Sequence, residues 1–106
     1  MNDCIFCQVV SGRLPSKPIY QDDEVIVIPD LHSQAPVHLL VIPKTHISQF
    51  TEASDEILTK MNTIIKQIIQ DQQISSYRLV VNGTGAAVID HLHVHILGKI
   101  DKFRSL

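Results

Sequence analysis

The sequence predicts an α+β domain in which a five-stranded antiparallel sheet packs against one long and one short helix. Apolar residues recur at helical spacing in one long and one short segment, and five other short segments have the composition of strands. Short polar turns join several of the strand-like segments, which favours antiparallel pairing. With 106 residues, of which 44% are hydrophobic, the chain (residues 1–106) is expected to form a single domain around one core.

The first element is predicted to be a short helix. Asp3 is a candidate N-cap, Phe6, Val9 and Val10 follow at helical spacing, and Gly12 suits the position just after a helix. A β-hairpin is expected next, with strands at Ile19–Gln21 and Val25–Ile28 on either side of a polar turn.

His38–Ile42 is apolar on both faces, so it is predicted to be a central strand that ends at Pro43. The long helix is expected to begin after Ser54, which is a suitable N-cap. Its apolar residues form one stripe at helical spacing, namely Ile57, Leu58, Met61, Ile64, Ile65, Ile68 and Ile69. A strand at Tyr77–Val81 and a turn at Asn82–Gly85 follow.

Composition and charge exclude several classes of function. The net charge is −2, and the Lys and Arg residues are scattered singly, which argues against a protein that binds nucleic acid or a membrane surface. No apolar stretch is long enough to span a bilayer, and the N-terminal residues do not resemble a secretory signal. We therefore expect a cytoplasmic protein, in which Cys4 and Cys7 are metal ligands, redox thiols or buried residues rather than a disulfide.

The last predicted strand, His91–Leu97, carries three histidines in strict alternation with apolar residues. Alternation directs Leu92, Val94 and Ile96 to the core and places His91, His93 and His95 together on the other face. On a straight strand the outer two histidines would lie about 13 Å apart, too far to share one metal ion. A row of imidazoles suits an extended anion such as the phosphates of a nucleotide, although a solvated polar face or an incidental metal-binding patch is the simpler alternative.

His91–Leu97 resembles the His-φ-His-φ-His-φ-φ motif of the histidine triad family of nucleotide hydrolases and transferases. Four further segments resemble the same family, namely Cys4–Cys7, Ile28–Leu31, Ala35–Ile47 and Tyr77–Asn82. The resemblance extends from about Cys4 to Gly98 and is closest to the small phosphoramidase branch. It implies the HIT-like fold, a purine nucleotide substrate, and a homodimer.

The resemblance also implies catalytic roles. His93 matches the nucleophile that attacks the α-phosphate and becomes a nucleotidyl-histidine. His95 and His38 match the residues that bind the phosphate and stabilise its charge, and the backbone carbonyl of His91 is expected to orient the His93 ring.

Three further residues are expected to bind the nucleotide beside His38, His93 and His95. Asp30 matches the acid that accepts hydrogen bonds from the ribose hydroxyls, and Leu31 is expected to contact the base. Asn82 matches an asparagine near the phosphate or the leaving group.

The Cys4-x-x-Cys7 spacing by itself is equally compatible with two ordinary thiols near a helix start. Some bacterial members of the family complete a zinc site with two histidines, and those positions correspond to His46 and His91 in this sequence. The resemblance therefore implies a Cys₂His₂ zinc site at Cys4, Cys7, His46 and His91. Such a site is closed, hence structural rather than catalytic.

The sequence departs from the family pattern just before the triad. Ala87 and Val88 stand where a glutamine and a hydroxyl residue usually contact the phosphate, although backbone N–H groups around Gly83–Ala86 could compensate. Slow turnover would make the chain a nucleotide-binding protein. A dinucleoside polyphosphate hydrolase would use the same nucleophile, and a zinc-stabilised interaction domain would need no nucleotide.

Overall fold

The computed structural model describes residues 3–105 and has the predicted α+β architecture. Its two α-helices are α1 (Ile5–Val10) and α2 (Asp55–Asp71), and a short 3₁₀ turn at Phe50–Glu52 precedes α2. Its five strands are β1 (Tyr20–Gln21), β2 (Val25–Pro29), β3 (Val37–Pro43), β4 (Arg78–Val81) and β5 (Val94–Gly98). Neither helix combines the length and apolar character that crossing a bilayer requires, within the residues that the structure describes.

All five strands form one antiparallel sheet in the order β1-β2-β3-β5-β4. The predicted central position of the His38 strand is confirmed, because β3 pairs with β2 on one side and with β5 on the other. Leu40 of β3 lies opposite His95 of β5. The strands that carry His38 and His95 are therefore neighbours, although 57 residues separate the two histidines. β4 is an edge strand.

The sheet has a different apolar cluster on each face. Side chains of α2 pack on one face with alternate residues of the central strands, in the cluster Val25, Val27, Leu39, Val41, Met61, Ile64, Ile65, Ile68, Ile74, Leu92 and Ile96. A smaller cluster lies on the α1 face and comprises Phe6, Ile26, Ile28, Leu40 and Ile42. His38 and Leu40 lie two residues apart on β3, so their side chains point to the same face of the sheet. Leu40 belongs to the cluster on the α1 face and pairs with His95, so both histidines lie on the α1 face.

The caps of both helices explain where the helices begin. Ser54 caps α2 as predicted, and its hydroxyl accepts a hydrogen bond from the N–H of Ile57 at 3.2 Å. The prediction of Asp3 as the N-cap of α1 is wrong, because Cys4 occupies that position and its sulfur accepts from the N–H of Cys7. Gly12 follows α1 with φ +84°, the left-handed conformation expected after a helix.

The prediction that the last strand begins at His91 is wrong by three residues. β5 begins at Val94, and the N–H of Leu92 leaves the sheet pattern to donate to the carbonyl of Ile47. The three histidines therefore do not form a regular row on a straight strand. The physical reason is tertiary: the His91 ring is fully buried and bonded to the carbonyl of Pro43, and the Leu92 N–H is bonded to Ile47, so contacts outside the sheet ladder hold this segment.

Candidate functional site

The first part of the site is a hydrogen-bonded set of three side chains from three segments. His38 Nε2 on β3 lies 2.9 Å from Nδ1 of His95 on β5. The same His38 Nε2 lies 3.4 Å from Oδ2 of Asp30, which follows β2. The central strands thus bring together three of the residues to which the sequence assigned nucleotide contacts.

The hydrogen-bond pattern fixes the tautomers of both rings. The backbone N–H of Gln34 donates to Nδ1 of His38 at 3.0 Å, so Nδ1 carries the lone pair and Nε2 carries the proton. His38 Nε2–H then donates to Nδ1 of His95, which leaves the His95 proton on Nε2. Asp30, His38 and His95 are also close enough to be considered as metal ligands, but a protonated Nε2 on His38 opposes that assignment.

Burial keeps these two imidazoles uncharged. Desolvation lowers the pKa of His38, and the cation of Arg104 lowers it further, against the opposing effect of the Asp30 carboxylate. Desolvation also lowers the pKa of His95, helped by the neighbouring His93 and His38 rings. Both rings are therefore neutral near pH 7, as the donor-to-acceptor contact between them requires.

His93 lies beside this set and is held from two sides. Its Nδ1–H donates to the backbone carbonyl of His91 at 2.7 Å, the contact expected from the resemblance, and this leaves the lone pair on Nε2. Phe6 of α1 packs against the His93 ring with 4.9 Å between ring centroids, and the His95 ring lies at the same distance. Only 6% of His93 is exposed, so its orientation is set by packing as well as by the hydrogen bond.

Asp30, Leu31 and Asn82 are the remaining residues that the sequence predicts to contact the nucleotide. Asp30 is half-buried, and its Oδ1 accepts from the N–H of His32 at 2.8 Å while Oδ2 faces His38. Leu31 is 93% exposed and makes no part of the core. Asn82 is half-buried and follows β4 directly, at the register position next to the start of β5.

Within the loop segment proposed for compensation, Gly83–Ala86, the N–H groups of Thr84 and Ala86 already have acceptors in the protein. The N–H groups of Ala86 and Ala87 both donate to the carbonyl of Gly83, and that of Thr84 donates to the side chain of Gln49 at 3.1 Å. These three donors are satisfied inside the protein, so they are not available to replace the missing polar side chains. Val88 is 99% exposed.

A second cluster lies at the other end of the triad segment. Its members are Cys4, Cys7, His46 and His91, whose ligand atoms all lie within 4.8 Å of one another. Nδ1 of His91 lies 3.2 Å from the sulfur of Cys4 and 3.5 Å from that of Cys7, and Nδ1 of His46 lies 3.3 Å from the Cys7 sulfur. The structure therefore brings together all four residues of the predicted zinc site.

The donor set of this cluster fits a tetrahedral zinc ion. Zn–S and Zn–N bonds of the usual lengths place a sulfur and a nitrogen ligand about 3.6 Å apart, close to the observed separations. His91 Nε2–H donates to the carbonyl of Pro43 at 2.8 Å, so Nδ1 presents its lone pair to the two sulfurs.

Several residues at the site were not singled out as functional from the sequence. Phe6 was predicted only as part of an amphipathic helix, and Gln34 acts through its backbone N–H, which no side-chain pattern reveals. Gln49 carries no motif, and its contact with Thr84 depends on the path of two separate loops.

Comparison with known proteins shows one family. The model of the HIT domain matches residues 11–102. Protein HitA of Neisseria gonorrhoeae is 33% identical over 105 residues, covering 92% of this chain and 97% of its own. Protein pkiA of Dictyostelium discoideum is 40% identical over 105 residues, covering 91% of this chain and 83% of its own.

Solved structures show the same similarity in three dimensions. A HIT family hydrolase from Legionella pneumophila has a TM-score of 0.86 at 33% identity, covering 93% of this chain and 95% of that one. A histidine triad protein from Clostridium difficile has a TM-score of 0.89 at 31% identity, covering 100% and 98%. The sheet order and both helices described above are therefore those of a known fold.

Proposed function

Because the chain belongs to the HIT domain family, we propose that it is a nucleotide hydrolase or transferase that acts at the α-phosphate of purine nucleoside phosphoramidates or related adenylates. The observation that carries this proposal is the hydrogen bond from His93 Nδ1–H to the carbonyl of His91, which presents the lone pair of Nε2. An imidazole nitrogen held in this way is suited to attack phosphorus. The similar Legionella pneumophila protein is described as a hydrolase.

The proposed reaction has two displacements at the same phosphorus atom. His93 Nε2 attacks the α-phosphorus, an N–P bond forms, and the bond to the leaving amine breaks as that amine takes a proton from solvent. Water then attacks the phosphorus, the bond to His93 breaks, and the nucleoside monophosphate is released with its proton returned to solvent. His93 regains its starting form.

The neighbouring side chains would bind the substrate. His95 carries its proton on Nε2 and can donate it to a phosphate oxygen, whereas His38 donates its own Nε2 proton to His95 Nδ1 and so orients that donor. Asp30 retains acceptor capacity for the ribose hydroxyls beyond its contacts with His32 and His38. Leu31 is assigned to the base, and Asn82 to the phosphate or the leaving group.

The test is the hydrolysis of adenosine 5′-phosphoramidate by the wild-type protein, His93→Ala and His32→Ala. The His32 imidazole is exposed and lies outside the hydrogen-bonded set, and the backbone N–H that His32 donates to Asp30 is kept in His32→Ala, so this variant is the matched control. We expect turnover by the wild type and by His32→Ala, and a loss of at least about 10³-fold in His93→Ala. Equal turnover in all three proteins would exclude His93 as the nucleophile.

A nucleotide-binding protein with little turnover is the second candidate. It is favoured by Ala87 and Val88 and by the internal bonding of the loop N–H groups, since loss of one such phosphate contact typically costs about 10²–10³ in rate. Calorimetric binding of AMP without turnover of the phosphoramidate would support this candidate. Turnover of a diadenosine polyphosphate instead would identify the alternative hydrolase with the same nucleophile.

A structural zinc ion at Cys4, Cys7, His46 and His91 forms part of the same proposal. The donor atoms and their separations support it, as does the hydrogen bond that orients the His91 ring. A cytoplasmic setting would keep both thiols reduced and able to bind the metal. The zinc would join α1 to the segments that follow β3 and precede β5.

A homodimer through the β4 edge is also proposed. β4 is an edge strand, and Leu79, Val81 and the adjacent Tyr77 are all substantially exposed there. An edge strand with exposed apolar residues is an unfavourable surface for a monomer and a favourable one for a partner. A second copy of the chain would cover these side chains.

A further inference from the structure

Backbone and side-chain hydrogen bonds connect the C-terminal segment after β5 to the rest of the domain. The N–H groups of Lys99 and Ile100 donate to the carbonyls of Ser75 and Ser76, just before β4. Farther along, the guanidinium of Arg78 on β4 donates to the carbonyl of Arg104 at 2.7 Å and to that of Ser105 at 3.2 Å. The tail thus has a defined path along the sheet.

This path brings Arg104 to the loop that precedes His38. The Arg104 guanidinium donates a hydrogen bond to the carbonyl of Gln34, although 70 residues separate the two in the sequence. Gln34 is also the residue whose N–H donates to Nδ1 of His38. Arg104 therefore contacts the backbone of the residue whose N–H occupies Nδ1 of His38, while the Asp30 carboxylate lies on the Nε2 side of the same ring.

We propose that Arg104 is a positioning residue: by holding the carbonyl of Gln34, it keeps the Gln34 N–H on Nδ1 of His38 and so keeps the His38 proton on Nε2, toward His95. The inference deepens the proposed function, since it concerns the same histidine pair. Arg104 acts through Gln34 and is assigned no contact with substrate.

The tautomer of His38 matters because it decides which nitrogen of His95 carries a proton. If the proton of His38 moved to Nδ1, two lone pairs would face each other across the 2.9 Å gap between His38 Nε2 and His95 Nδ1, unless the His95 proton moved from Nε2 to Nδ1. The ring pair would therefore separate, take up an extra proton, or lose the Nε2 proton of His95. The Arg104 cation opposes that protonation, which agrees with its lowering effect on the pKa of His38, whereas the Asp30 carboxylate acts in the other direction.

Nuclear magnetic resonance of the ¹⁵N-labelled, zinc-saturated full chain tests the proposal without depending on turnover. The imidazole ¹⁵N shifts of His38 report which nitrogen carries the proton, and the exchange rate of the Gln34 amide reports its hydrogen bond. In Arg104→Ala we expect a mixture of His38 tautomers and Gln34 amide exchange that is faster by about tenfold. Arg104→Lys keeps a donor for the carbonyl and should restore most of the wild-type behaviour.

Lys102→Ala is the matched control, because it removes a cation from the same tail, where Lys102 lies over the ring of Phe103. Its His38 shifts and Gln34 exchange should equal those of the wild type. Arg78→Ala, which releases the tail carbonyls, should shift both signals in the same direction as Arg104→Ala.

Wild-type His38 shifts and Gln34 exchange in Arg104→Ala would overturn the proposal. This readout is independent of the proposed reaction. If the wild type hydrolyses the phosphoramidate and Arg104→Ala keeps the wild-type His38 tautomer, only the role of Arg104 is contradicted. If the wild type shows no turnover and the His38 tautomer changes in Arg104→Ala, only the proposed reaction is contradicted.

Discussion

At the scale of single residues, His91 connects the two halves of the site. Its ring faces the sulfurs of Cys4 and Cys7, whereas its backbone carbonyl accepts the hydrogen bond from His93. Phe6 packs edge-on against both rings, with centroid distances of 5.8 Å to His91 and 4.9 Å to His93. The proposed metal cluster and the proposed nucleophile therefore share one backbone segment and one aromatic support.

Substitution of Phe6 tests this support. Phe6→Ala should lower the free energy of unfolding by about 3–5 kcal/mol, since it empties a buried aromatic position. Phe6→Leu keeps most of the apolar volume but loses the ring contacts, so it should lower the free energy of unfolding by about 1 kcal/mol. Urea denaturation of the zinc-saturated proteins measures both.

Ile5→Ala is the control, because Ile5 is the neighbouring helical residue and is half-exposed. Ile5→Ala should lower the free energy of unfolding by less than Phe6→Ala or Phe6→Leu does. An effect of Phe6→Ala no larger than that of Ile5→Ala would show that the ring does not support the histidines.

At the scale of elements, the β1–β2 hairpin is organised by one carboxylate. Asp22 Oδ1 accepts from the N–H groups of Glu24 and Val25, while Oδ2 accepts from the Tyr20 hydroxyl and from Lys60 of α2. Burial raises the pKa of Asp22, but these hydrogen bonds outweigh burial and hold the pKa well below its usual range. The turn and α2 are thereby joined on the side of the sheet away from α1.

This lowered pKa predicts an acid-dependent contribution to stability. A carboxyl group with a lower pKa in the folded state stabilises the fold above its unfolded pKa, near 3.8, and that contribution is lost progressively as the pH falls below this value. Chemical denaturation at pH 6, pH 4 and pH 3 should therefore show a steeper loss of stability in the wild type than in Asp22→Asn. Asp23→Asn, at the exposed neighbouring position, should keep the wild-type slope.

Identical slopes in the wild type and in Asp22→Asn would contradict the role of Asp22. The carboxylate of Asp22 is partly open to solvent, which weakens its interactions.

At the scale of the whole molecule, the two faces of the sheet carry different groups of side chains. The α2 face carries the larger apolar core, whereas the α1 face carries the histidines and the smaller cluster around Phe6. The α1 face carries only a short helix, and the cluster of Cys4, Cys7, His46 and His91 connects the start of that helix to the segments that follow β3 and precede β5. The proposed zinc ion would therefore contribute to the stability of the entire domain.

Removal of zinc should lower the melting temperature. A loss of about 2 kcal/mol corresponds to roughly 10 °C for a chain of this size, and we expect an effect of at least that magnitude after chelation of the wild type. Cys4→Ser should melt at the lower temperature from the start and respond little to chelator. Metal analysis by mass spectrometry gives the stoichiometry, and a wild-type protein that binds no zinc at stoichiometric concentration would refute the site.

Substitution at the β4 edge tests the dimer. Leu79→Lys places a charge on the exposed edge and should convert a dimer into a monomer in analytical ultracentrifugation. Val88→Lys is the control, because Val88 is more exposed and lies on a separate loop. A monomeric wild type, or a dimeric Leu79→Lys protein, would exclude this interface.

Most of the fold could be predicted from the sequence because its signals are local. The apolar stripe after Ser54 and the polar turn at Asp22–Glu24 each specify an element through a few neighbouring residues. The apolar run at His38–Ile42 specified a central strand, since only a strand covered on both faces tolerates that composition. The members of the two clusters were indicated by the resemblance to the histidine triad family, since the Cys4-x-x-Cys7 spacing by itself left ordinary thiols equally possible.

Only the tertiary structure decided how those residues act. β5 begins at Val94 rather than His91, and contacts with distant residues hold the preceding segment: the Leu92 N–H is bonded to the carbonyl of Ile47 and the His91 ring to that of Pro43. The proton position on His38 depends on the backbone of Gln34, and Gln34 in turn contacts Arg104 at the far end of the chain. The sequence determined which chemical groups are present and which elements carry them. Their hydrogen-bond directions depend on distances between segments that only the folded chain brings together, which no local pattern encodes.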